Sequence, residues 1–347
     1  MTTIKDIAEK AGVSIGTVDR VFHNRGRVSK ETEKRVKEIA DALGYVPNQL
    51  GRGLAARKKK LNIAFMIPDS EQAPSQFYSD LKKGALSEIE ALKQYDITVR
   101  FYPITFDFET GEDVYPDPAA IAWEELDGLV TLGGNSETLK EILARAEEHN
   151  IPAVLYNMDT EVGTYLAVVQ CNYIKSGRIA AGLSALMTDQ KGCIGIISLD
   201  SDKVPSYTKR CEGFRQELKE HYPSMSIGFT AILKSAEIST YCRTINDLIR
   251  LHPEVSVIYV VNPGDYHVCE AIYNASDGTN IRIITNDLDE YQRQMLLDGK
   301  IAATICQDPE MQGSLPLKLL TDYLIFEKLP EASITYTNLS VNFRQTL

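Results

Sequence analysis

From Leu61 onward, short apolar runs alternate with longer segments of helical periodicity, and this alternation constrains the fold more than any other feature of the chain. Nine runs have the length and apolar content of buried strands: 61–67, 97–104, 128–132, 152–157, 193–199, 227–233, 255–261, 281–286 and 301–306. Strands that alternate with helices form parallel sheets covered on both faces. The pattern therefore predicts an α/β class for residues 61–347.

The core is too long for one Rossmann-like unit, so the sequence favours two similar lobes. The hydrophobic content of the whole chain, 44%, is ample for a sizeable core. Neither a G-x-G-x-x-G motif nor a phosphate-binding P-loop follows the first strand, which argues against a dinucleotide or nucleoside triphosphate site. Polar residues follow several strands, where open α/β sheets bind ligands.

The first 47 residues are predicted to form three short helices. Residues 4–11 carry apolar side chains at helical spacing, and Gly12 can adopt the left-handed conformation that ends a helix. Ser14 is a typical N-cap for a second helix over 15–23, and a third helix is predicted over about 30–43. A short turn containing glycine between two small helices indicates a helix-turn-helix motif.

Charge is distributed unevenly along the chain. The formal net charge of the whole chain is −11, but residues 1–60 carry +7 and the remaining residues −18. This asymmetry indicates a basic DNA-facing module attached to an acidic body. The acidic body disfavours contact with a phosphate backbone outside the head.

In a helix-turn-helix motif, the early residues of the second helix reach base edges in the major groove. Arg20 can donate two hydrogen bonds to guanine, the commonest specific contact. The head residues predicted to contact bases or phosphates are Ile15, Gly16, Thr17, Arg20, His23, Asn24, Arg27 and Ser29. A small three-helix bundle that binds protein is the alternative.

Residues 3–45 resemble the head of the lactose/galactose repressor (LacI) family of bacterial transcription regulators. The resemblance rests on the run T-I-K-D-I-A-E-K-A-G-V-S-x-x-T-V-x-R-V, followed by V-S-K-E-T and L-G-Y-x-P-N. The chain departs from the family at Asp19, where members usually carry serine at a position that contacts phosphate. The resemblance implies a homodimer whose heads read the half-sites of a near-palindromic operator.

A basic hinge follows the head at residues 48–60, with Asn48 in the N-cap position. Similar repressors fold this hinge into a short helix on DNA, and by motif position Leu54 is the wedge that kinks a base step. Gly51 and Gly53 each cost a helix about 1 kcal/mol relative to alanine. We therefore expect a hinge that is disordered off DNA; a flexible linker that ignores DNA is the alternative.

The core resembles periplasmic sugar-binding proteins, as the core of the LacI family does. The resemblance implies domains and lobes with these bounds: head 1–47, hinge 48–60 and core 61–347, with an N-lobe of about 61–157 and 290–306 and a C-lobe of about 172–287 and 312–347. A ligand would bind between the lobes. Three chain crossings would join them, near 157–172, 287–290 and 307–312.

Sugar sites need planar groups for vicinal hydroxyls and aromatic faces for C–H surfaces. Position by position, the resemblance implies a ligand site made of Phe77, Tyr78, Asn157, Arg210, Asn262, Asp287 and Gln307. The aromatic pair would stack on the sugar, Arg210 would clamp it, and the amides and carboxylate would bind hydroxyls. Packing of the aromatic pair and a surface position for Arg210 are the alternatives.

One acidic segment, residues 106–118, fits no template. It is rich in turn-forming residues and is predicted to be a loop of the N-lobe. It would flank either the cleft or the dimer surface.

No pattern in the sequence indicates a metal, a cofactor or a catalytic residue. The six cysteines are scattered without a C-x-x-C pair, as expected of thiols in a reducing cytoplasm. The N-terminus lacks the features of a signal peptide, and no apolar run approaches the ~18 residues that span a membrane. These features predict a cytoplasmic protein.

Together these features predict a DNA-binding regulator, acting as a repressor, whose core binds a sugar or sugar-like effector, with a monosaccharide favoured. Two other classes stay open: an α/β enzyme with a DNA-binding head, and an architectural DNA-binding protein with an inert core. The core contains neither a G-x-S-x-G elbow nor a metal-ligand cluster, which argues against the enzyme.

Overall fold

The computed structural model describes residues 4–22, 28–43, 60–69, 75–107, 112–199, 205–233, 238–263, 266–276 and 280–347. The chain divides into two compact units, Met1–Ala55 and Ala56–Leu347. Five residues predicted to contact DNA lie outside the described residues: His23, Asn24, Arg27, Asn48 and Leu54. The same holds for the side chain of Asp19 and for the hinge glycines, so the predictions on all of these stay predictions.

The head contains three helices, α1 (Ile4–Ala11), α2 (Ile15–Phe22) and α3 (Lys30–Ala42). Gly12 has a φ of 65°, the left-handed conformation that ends α1. The backbone N–H of Thr17 donates to Ser14 Oγ at 3.1 Å, so Ser14 caps α2 as predicted. A small core of buried apolar residues holds the helices together: Ile7, Ala8, Ala11, Val18, Val21, Val36 and Ala40.

The N-lobe is built on one sheet. Its described strands are β1 (Leu61–Pro68), β2 (Ile97–Asp107), β3 (Glu112–Val114), β4 (Gly128–Leu132), β5 (Ala153–Asn157), β6 (Ala167–Gln170) and β12 (Ile334–Tyr336). Their order across the sheet is β12-β6-β5-β4-β1-β2-β3, parallel except for β3, which runs antiparallel to β2. Its helices are α4 (Gln76–Ala91), α5 (Glu137–Glu148) and α11 (Pro309–Phe326).

The C-lobe is built on a second sheet. Its described strands are β7 (Cys193–Leu199), β8 (Ser226–Leu233), β9 (Val255–Pro263), β10 (Arg282–Asn286), β11 (Ala303–Cys306) and β13 (Ser340–Asn342). Their order is β13-β11-β10-β9-β7-β8, parallel except for β13. Its helices are α6 (Tyr173–Met187), α7 (Pro205–His221), α8 (Ile238–Leu251), α9 (Tyr266–Ala275) and α10 (Glu290–Leu297). The α/β prediction and its nine strands are confirmed.

The chain passes between the lobes at 171–172, 307–308 and 337–339. The first two crossings fall inside predicted ranges. The predicted crossing near 287–290 is wrong, because β10, α10 and β11 all belong to the C-lobe. The pattern of strands along the sequence cannot reveal which distant strands pair, and the last crossing lies between two strands of three residues each.

The predicted lobe bounds are corrected accordingly. Residues 290–306 lie in the C-lobe, since β11 pairs in parallel with β10 through Ala303 and Ile284. Within 312–347, most of α11 and all of β12 lie in the N-lobe, where β12 pairs with β6. Each lobe is therefore completed by a helix that follows a strand of the other lobe: α6 follows β6, and α11 follows β11.

Both exchanged helices pack through glycines. In the N-lobe, a Cβ on Gly84 of α4 would overlap the carbonyl of Glu310 in α11, and a Cβ on Gly313 would overlap the carbonyl of Leu81. Without these Cβ atoms the two helix backbones can approach closely enough to touch. The crossing of α4 and α11 is therefore sterically closed to any larger residue at these positions.

The same crossing recurs in the C-lobe. A Cβ on Gly177 of α6 would overlap the carbonyl of Arg210 in α7, and a Cβ on Gly213 would overlap the carbonyl of Ile174. The two lobes thus repeat one packing motif. In the C-lobe this motif fixes the backbone that carries Arg210.

The acidic segment is only partly a loop. Residues 106–107 end β2 and residues 112–114 form β3, in which Asp113 pairs with Phe106 and Val114 pairs with Thr105. The loop prediction is therefore wrong for these residues, because hydrogen bonds to a long neighbouring strand compensate for their weak strand propensity.

Among the described residues, no helix is both long and apolar enough to cross a membrane.

Candidate functional site

We call the space at the carboxyl ends of the strands of the two sheets the cleft, and Arg210 is a buried cationic group on its C-lobe side. It lies on α7, is 1% exposed and places its guanidinium 4.9 Å from the ring centre of Tyr173. Its Nε atom has no hydrogen-bond partner among the described residues. A buried donor without a partner is costly, so the site is suited to a ligand that supplies an acceptor.

Arg210 stays charged despite its burial. Burial alone would lower its pKa, but the acidic groups of Tyr259, Cys171 and Asp287 raise the pKa overall. The surface position considered for Arg210 is therefore wrong: the side chain lies inside the C-lobe.

Asp287 and Gln307 form a second polar unit at the strand ends of the C-lobe. Asp287 follows β10 with a φ of 59°, and its carboxylate accepts from Gln307 Nε2 at 2.8 Å. The backbone carbonyl of Gln307 accepts in turn from Gln312 Nε2 at 3.1 Å. Burial raises the pKa of Asp287, and Arg210 and Gln307 oppose that rise. These contacts hold both side chains at the end of adjacent strands.

Asn262 lies near the end of β9 and serves the sheet itself. It is buried, and its Oδ1 accepts from the backbone N–H of Leu199 at 2.7 Å. This bond ties the end of β9 to the end of β7. It occupies the carbonyl oxygen, so the amide N–H₂ is the group that Asn262 can turn toward a ligand.

The N-lobe supplies aromatic residues. Phe77 and Tyr78 open α4 after β1, and their rings meet edge to face with centroids 5.2 Å apart. Both pack against the N-lobe core while staying half-buried. Asn157 ends β5 in a left-handed conformation, with a φ of 67°.

Tyr173 connects the two walls. Its hydroxyl donates to the side chain of Asn157 at 2.6 Å, while its ring lies under the guanidinium of Arg210. Burial, followed by Asp113, Tyr207 and Asp287, raises the pKa of Tyr78. Tyr78 therefore lies within electrostatic reach of the C-lobe wall.

A salt bridge also spans the lobes. Lys209, next to Arg210 on α7, lies 3.7 Å from Asp159 in the N-lobe. Both side chains are about 40% exposed, so the pair contributes little to stability.

The structure thus brings five predicted residues into one site: Tyr78, Asn157, Arg210, Asp287 and Gln307. Phe77 is linked to this site by its ring contact with Tyr78. Asn262 lies on β9, the strand next to β10. Four residues around this site were not predicted: Asp113, Cys171, Tyr173 and Tyr207. Tyr173 directly follows the first crossing, whose predicted range of 157–172 ended one residue before it.

Helix α2, called the reading helix below because it carries the residues predicted to contact bases, exposes these residues. Ile15, Gly16 and Arg20 are exposed, whereas Val18 and Val21 on the opposite face are buried in the head core. Ser29 caps α3, accepting from the backbone N–H of Thr32 at 3.2 Å. The exposed side of α2 is free of the head's own packing.

Comparison with known proteins identifies both units. Residues 71–328 match the family described as periplasmic binding protein domain, and residues 3–48 match the family described as bacterial regulatory proteins, lacI family. The chain belongs to the family of periplasmic binding protein domains, and its first residues form a DNA-binding head of the lacI family of bacterial regulators. It is a DNA-binding transcription regulator, and the resemblances of head and core are confirmed.

One curated relative is similar over nearly the whole chain. It is the catabolite control protein A of Priestia megaterium, 24% identical over 350 residues, which cover 99% of this chain and 98% of the relative. The lacI family, whose description matches the head, is one of transcription regulators.

Solved structures show the same fold. A LacI transcriptional regulator from Bacteroides fragilis, described as putative by its source, aligns with a TM-score of 0.71 and 23% identity over 83% of this chain and 98% of that chain. An arabinose-binding protein from Geobacillus stearothermophilus aligns with a TM-score of 0.69 and 16% identity, again over 83% and 98%. At such identities these likenesses show the fold alone.

Proposed function

We propose that this regulator is a homodimeric, cytoplasmic repressor whose core binds a monosaccharide and thereby changes its affinity for a near-palindromic operator. The observation that carries the proposal is Arg210, a charged and buried group near Tyr173 and Asp287 whose Nε has no hydrogen-bond partner in the described part of the chain. Such an arrangement is costly in an empty core and is stabilised by a ligand with hydroxyl acceptors.

The chemistry of the cleft supports a sugar. Arg210 can bind vicinal hydroxyls, and the carboxylate of Asp287 can accept from a sugar hydroxyl. The half-buried rings of Phe77 and Tyr78 offer apolar faces for C–H groups. The amide groups of Asn157 and Gln307 complete a set of donors and acceptors at the strand ends of both lobes.

Binding would act on DNA through the relative position of the lobes. A ligand that contacts both walls favours one arrangement of the lobes, and in a dimer that arrangement sets the spacing of the two heads. Such coupling is typically about 1–3 kcal/mol and is reciprocal, so operator DNA changes sugar affinity by the same factor.

On the DNA side, we propose that Ile15, Gly16, Thr17 and Arg20 contact bases. We propose that Ser29 and three residues outside the described part, His23, Asn24 and Arg27, contact phosphates, and that Leu54 is the wedge that kinks a base step. We also propose that the core is a sensor that catalyses no reaction and holds neither metal nor cofactor. Turnover of a bound sugar would overturn this last point.

The sensor is tested with the full chain by thermal shift against neutral aldopentoses and aldohexoses. A sugar at 100 times its Kd should add about 2.7 kcal/mol to the free energy of unfolding. The same sugar should change the affinity for an operator selected from random duplexes, measured by fluorescence anisotropy, and sedimentation should show a dimer. If no sugar changes either quantity, the chain is a DNA-binding protein with an inert core.

The reading helix is tested separately. Replacing Arg20 with alanine should weaken operator binding by about 1–3 kcal/mol and leave sugar binding unchanged. Lys37→Ala is the control, because Lys37 pairs with Glu33 at 2.6 Å on α3. Equal losses in both variants would contradict base contact by Arg20.

A further inference from the structure

The β3 segment (Asp113–Tyr115) turns alternate side chains in opposite directions. Asp113 is half-buried and Tyr115 is 6% exposed, whereas Val114 between them is 46% exposed. Side chains two residues apart in extended chain point to the same side. Asp113 and Tyr115 therefore both point toward the N-lobe, and Val114 points away from it.

Tyr115 anchors the segment across the edge of the sheet. Its hydroxyl lies 3.2 Å from the carbonyl oxygen of Leu132 and 3.4 Å from that of Gly133, at the end of β4. The segment begins beside β2, and β1 lies between β2 and β4. It therefore passes over the end of β1, which is the end that leads to Phe77 and Tyr78.

The carboxylate of Asp113 lies within electrostatic reach of three tyrosines. Burial raises its own pKa, and it contributes to the raised pKa of Tyr78, Tyr115 and Tyr156. None of the described lysines, arginines or histidines lies within 4.0 Å of it. Asp113 is thus a partly buried acceptor at the aromatic wall of the cleft, and no cation of the described residues neutralises it.

We propose that Asp113 binds a ligand hydroxyl on the N-lobe wall and makes the cleft select an uncharged sugar over its phosphate esters and uronic acids. This rests on the proposed sugar-binding function. Asp113 lies on the N-lobe wall and Asp287 on the C-lobe wall beside Arg210, so these three described residues present two carboxylates and one guanidinium. An anionic sugar would be repelled by the carboxylate on each wall, whereas a neutral sugar offers hydroxyl donors to both.

The test is isothermal titration of the full chain with neutral aldopentoses and aldohexoses, their phosphate esters and hexuronic acids. At least one neutral sugar should bind, and its phosphate ester and uronic acid should bind at least about 10-fold more weakly. Asp113→Asn should weaken binding of the neutral sugar about 10- to 100-fold. It should also reduce the ratio between the affinities for the neutral and the anionic ligands.

Two variants control for the fold and for surface charge. Asp117→Asn removes a carboxylate from the acidic segment 106–118, but Asp117 is exposed and accepts from the backbone N–H of Ala119, a role that asparagine can fill. It should leave all affinities unchanged. Asp113→Glu keeps the charge, and it should retain discrimination against anionic sugars even if it loses affinity.

The outcomes separate this proposal from the sensor itself. Full affinity for the neutral sugar in a folded Asp113→Asn chain would overturn the role of Asp113 alone. A wild-type preference for the phosphate ester or uronic acid would overturn the selectivity, whatever the variants do. If no sugar of any class binds, the sensor function fails and this proposal fails with it.

Discussion

Both lobes contain the same kind of helix crossing, but the residue whose carbonyl faces the glycine is apolar in one lobe and charged in the other. In the N-lobe, the carbonyl that faces a glycine of the exchanged helix belongs to Leu81; in the C-lobe it belongs to Arg210. Each of these residues stands three positions before a glycine, Gly84 or Gly213, that faces back. Leu81 and Arg210 are therefore equivalent positions of a repeated motif.

The equivalence extends to the aromatic residues. Tyr78 stands three positions before Leu81, and Tyr207 stands three positions before Arg210. The two tyrosines are close enough for Tyr207 to raise the pKa of Tyr78. Equivalent tyrosines thus approach each other across the cleft, one from each lobe.

Only one lobe places a charge at this position. Leu81 is 0% exposed and packs in the N-lobe core, whereas Arg210 is as deeply buried and charged. Burying a charge lowers stability unless it is paired, so the fold alone favours leucine. The C-lobe departs from the fold's preference at the position where we propose that a ligand binds.

We expect the largest effect on the free energy of unfolding when the equivalent position of the N-lobe, Leu81, is replaced by arginine. Leu81→Arg buries a guanidinium with no acidic partner and should lower the free energy of unfolding by about 3–5 kcal/mol. Urea unfolding measures this, and Leu81→Met, which keeps the volume, is the control. A loss under 1 kcal/mol would mean that the N-lobe tolerates charge as the C-lobe does.

The reverse change should separate binding from stability. Arg210→Leu should weaken sugar binding about 100-fold or more, because several hydrogen bonds from one charged group are lost together. The free energy of unfolding should stay unchanged or rise, since a buried charge is replaced by an apolar side chain. Calorimetry and urea unfolding of the same samples give both values; unchanged affinity would contradict the clamp.

The glycine crossing itself should be sensitive in either lobe. Gly177→Ala places a Cβ on the carbonyl of Arg210 and should cost about 1–3 kcal/mol of stability. Gly182 lies on the same helix, where a Cβ would meet nothing closer than Tyr222 Oη at 3.9 Å. Gly182→Ala should therefore stabilise the chain by up to about 1 kcal/mol, and similar losses in both would show that the close contact is unimportant.

The smallest effect concerns the link between the walls. Tyr173→Phe removes the hydroxyl that donates to Asn157 and should weaken sugar binding by about 1 kcal/mol. Tyr165→Phe is the control, because the Tyr165 hydroxyl donates to the backbone carbonyl of Thr160 at 3.3 Å in the N-lobe, the lobe that also contains Asn157. If both variants lose the same sugar affinity, the loss comes from general loosening of the N-lobe and not from the hydrogen bond to Asn157.

The sequence predicted the layers of the core well and their assembly less well. The nine predicted strands are present because buried parallel strands form continuous apolar runs. Strands β3, β6, β12 and β13, of three or four residues, carry too little pattern to detect. Since β12 and the third crossing were missed, the lobe bounds after 287 came out wrong.

The candidate site was predictable where a residue ends a strand. Asn157, Asp287 and Gln307 were found in this way. Tyr173 was missed because its contacts with Asn157 and Arg210 depend on how two lobes meet, which no local pattern encodes. Asp113 was missed because a strand of three residues carries it to the cleft.

The exchange of helices between lobes has a consequence for synthesis on the ribosome. The N-lobe begins at Leu61, but its sheet and its helix layer are completed only by Pro309–Phe326 and Ile334–Tyr336. A nascent chain must therefore hold the apolar surface of its first half exposed until almost all of it has emerged. We expect a chain ending after Leu297 to be degraded rapidly by protease, and resistance of its N-lobe would contradict this. Chaperones that shield emerging chains should accordingly act on residues 61–157 of this regulator for most of its synthesis.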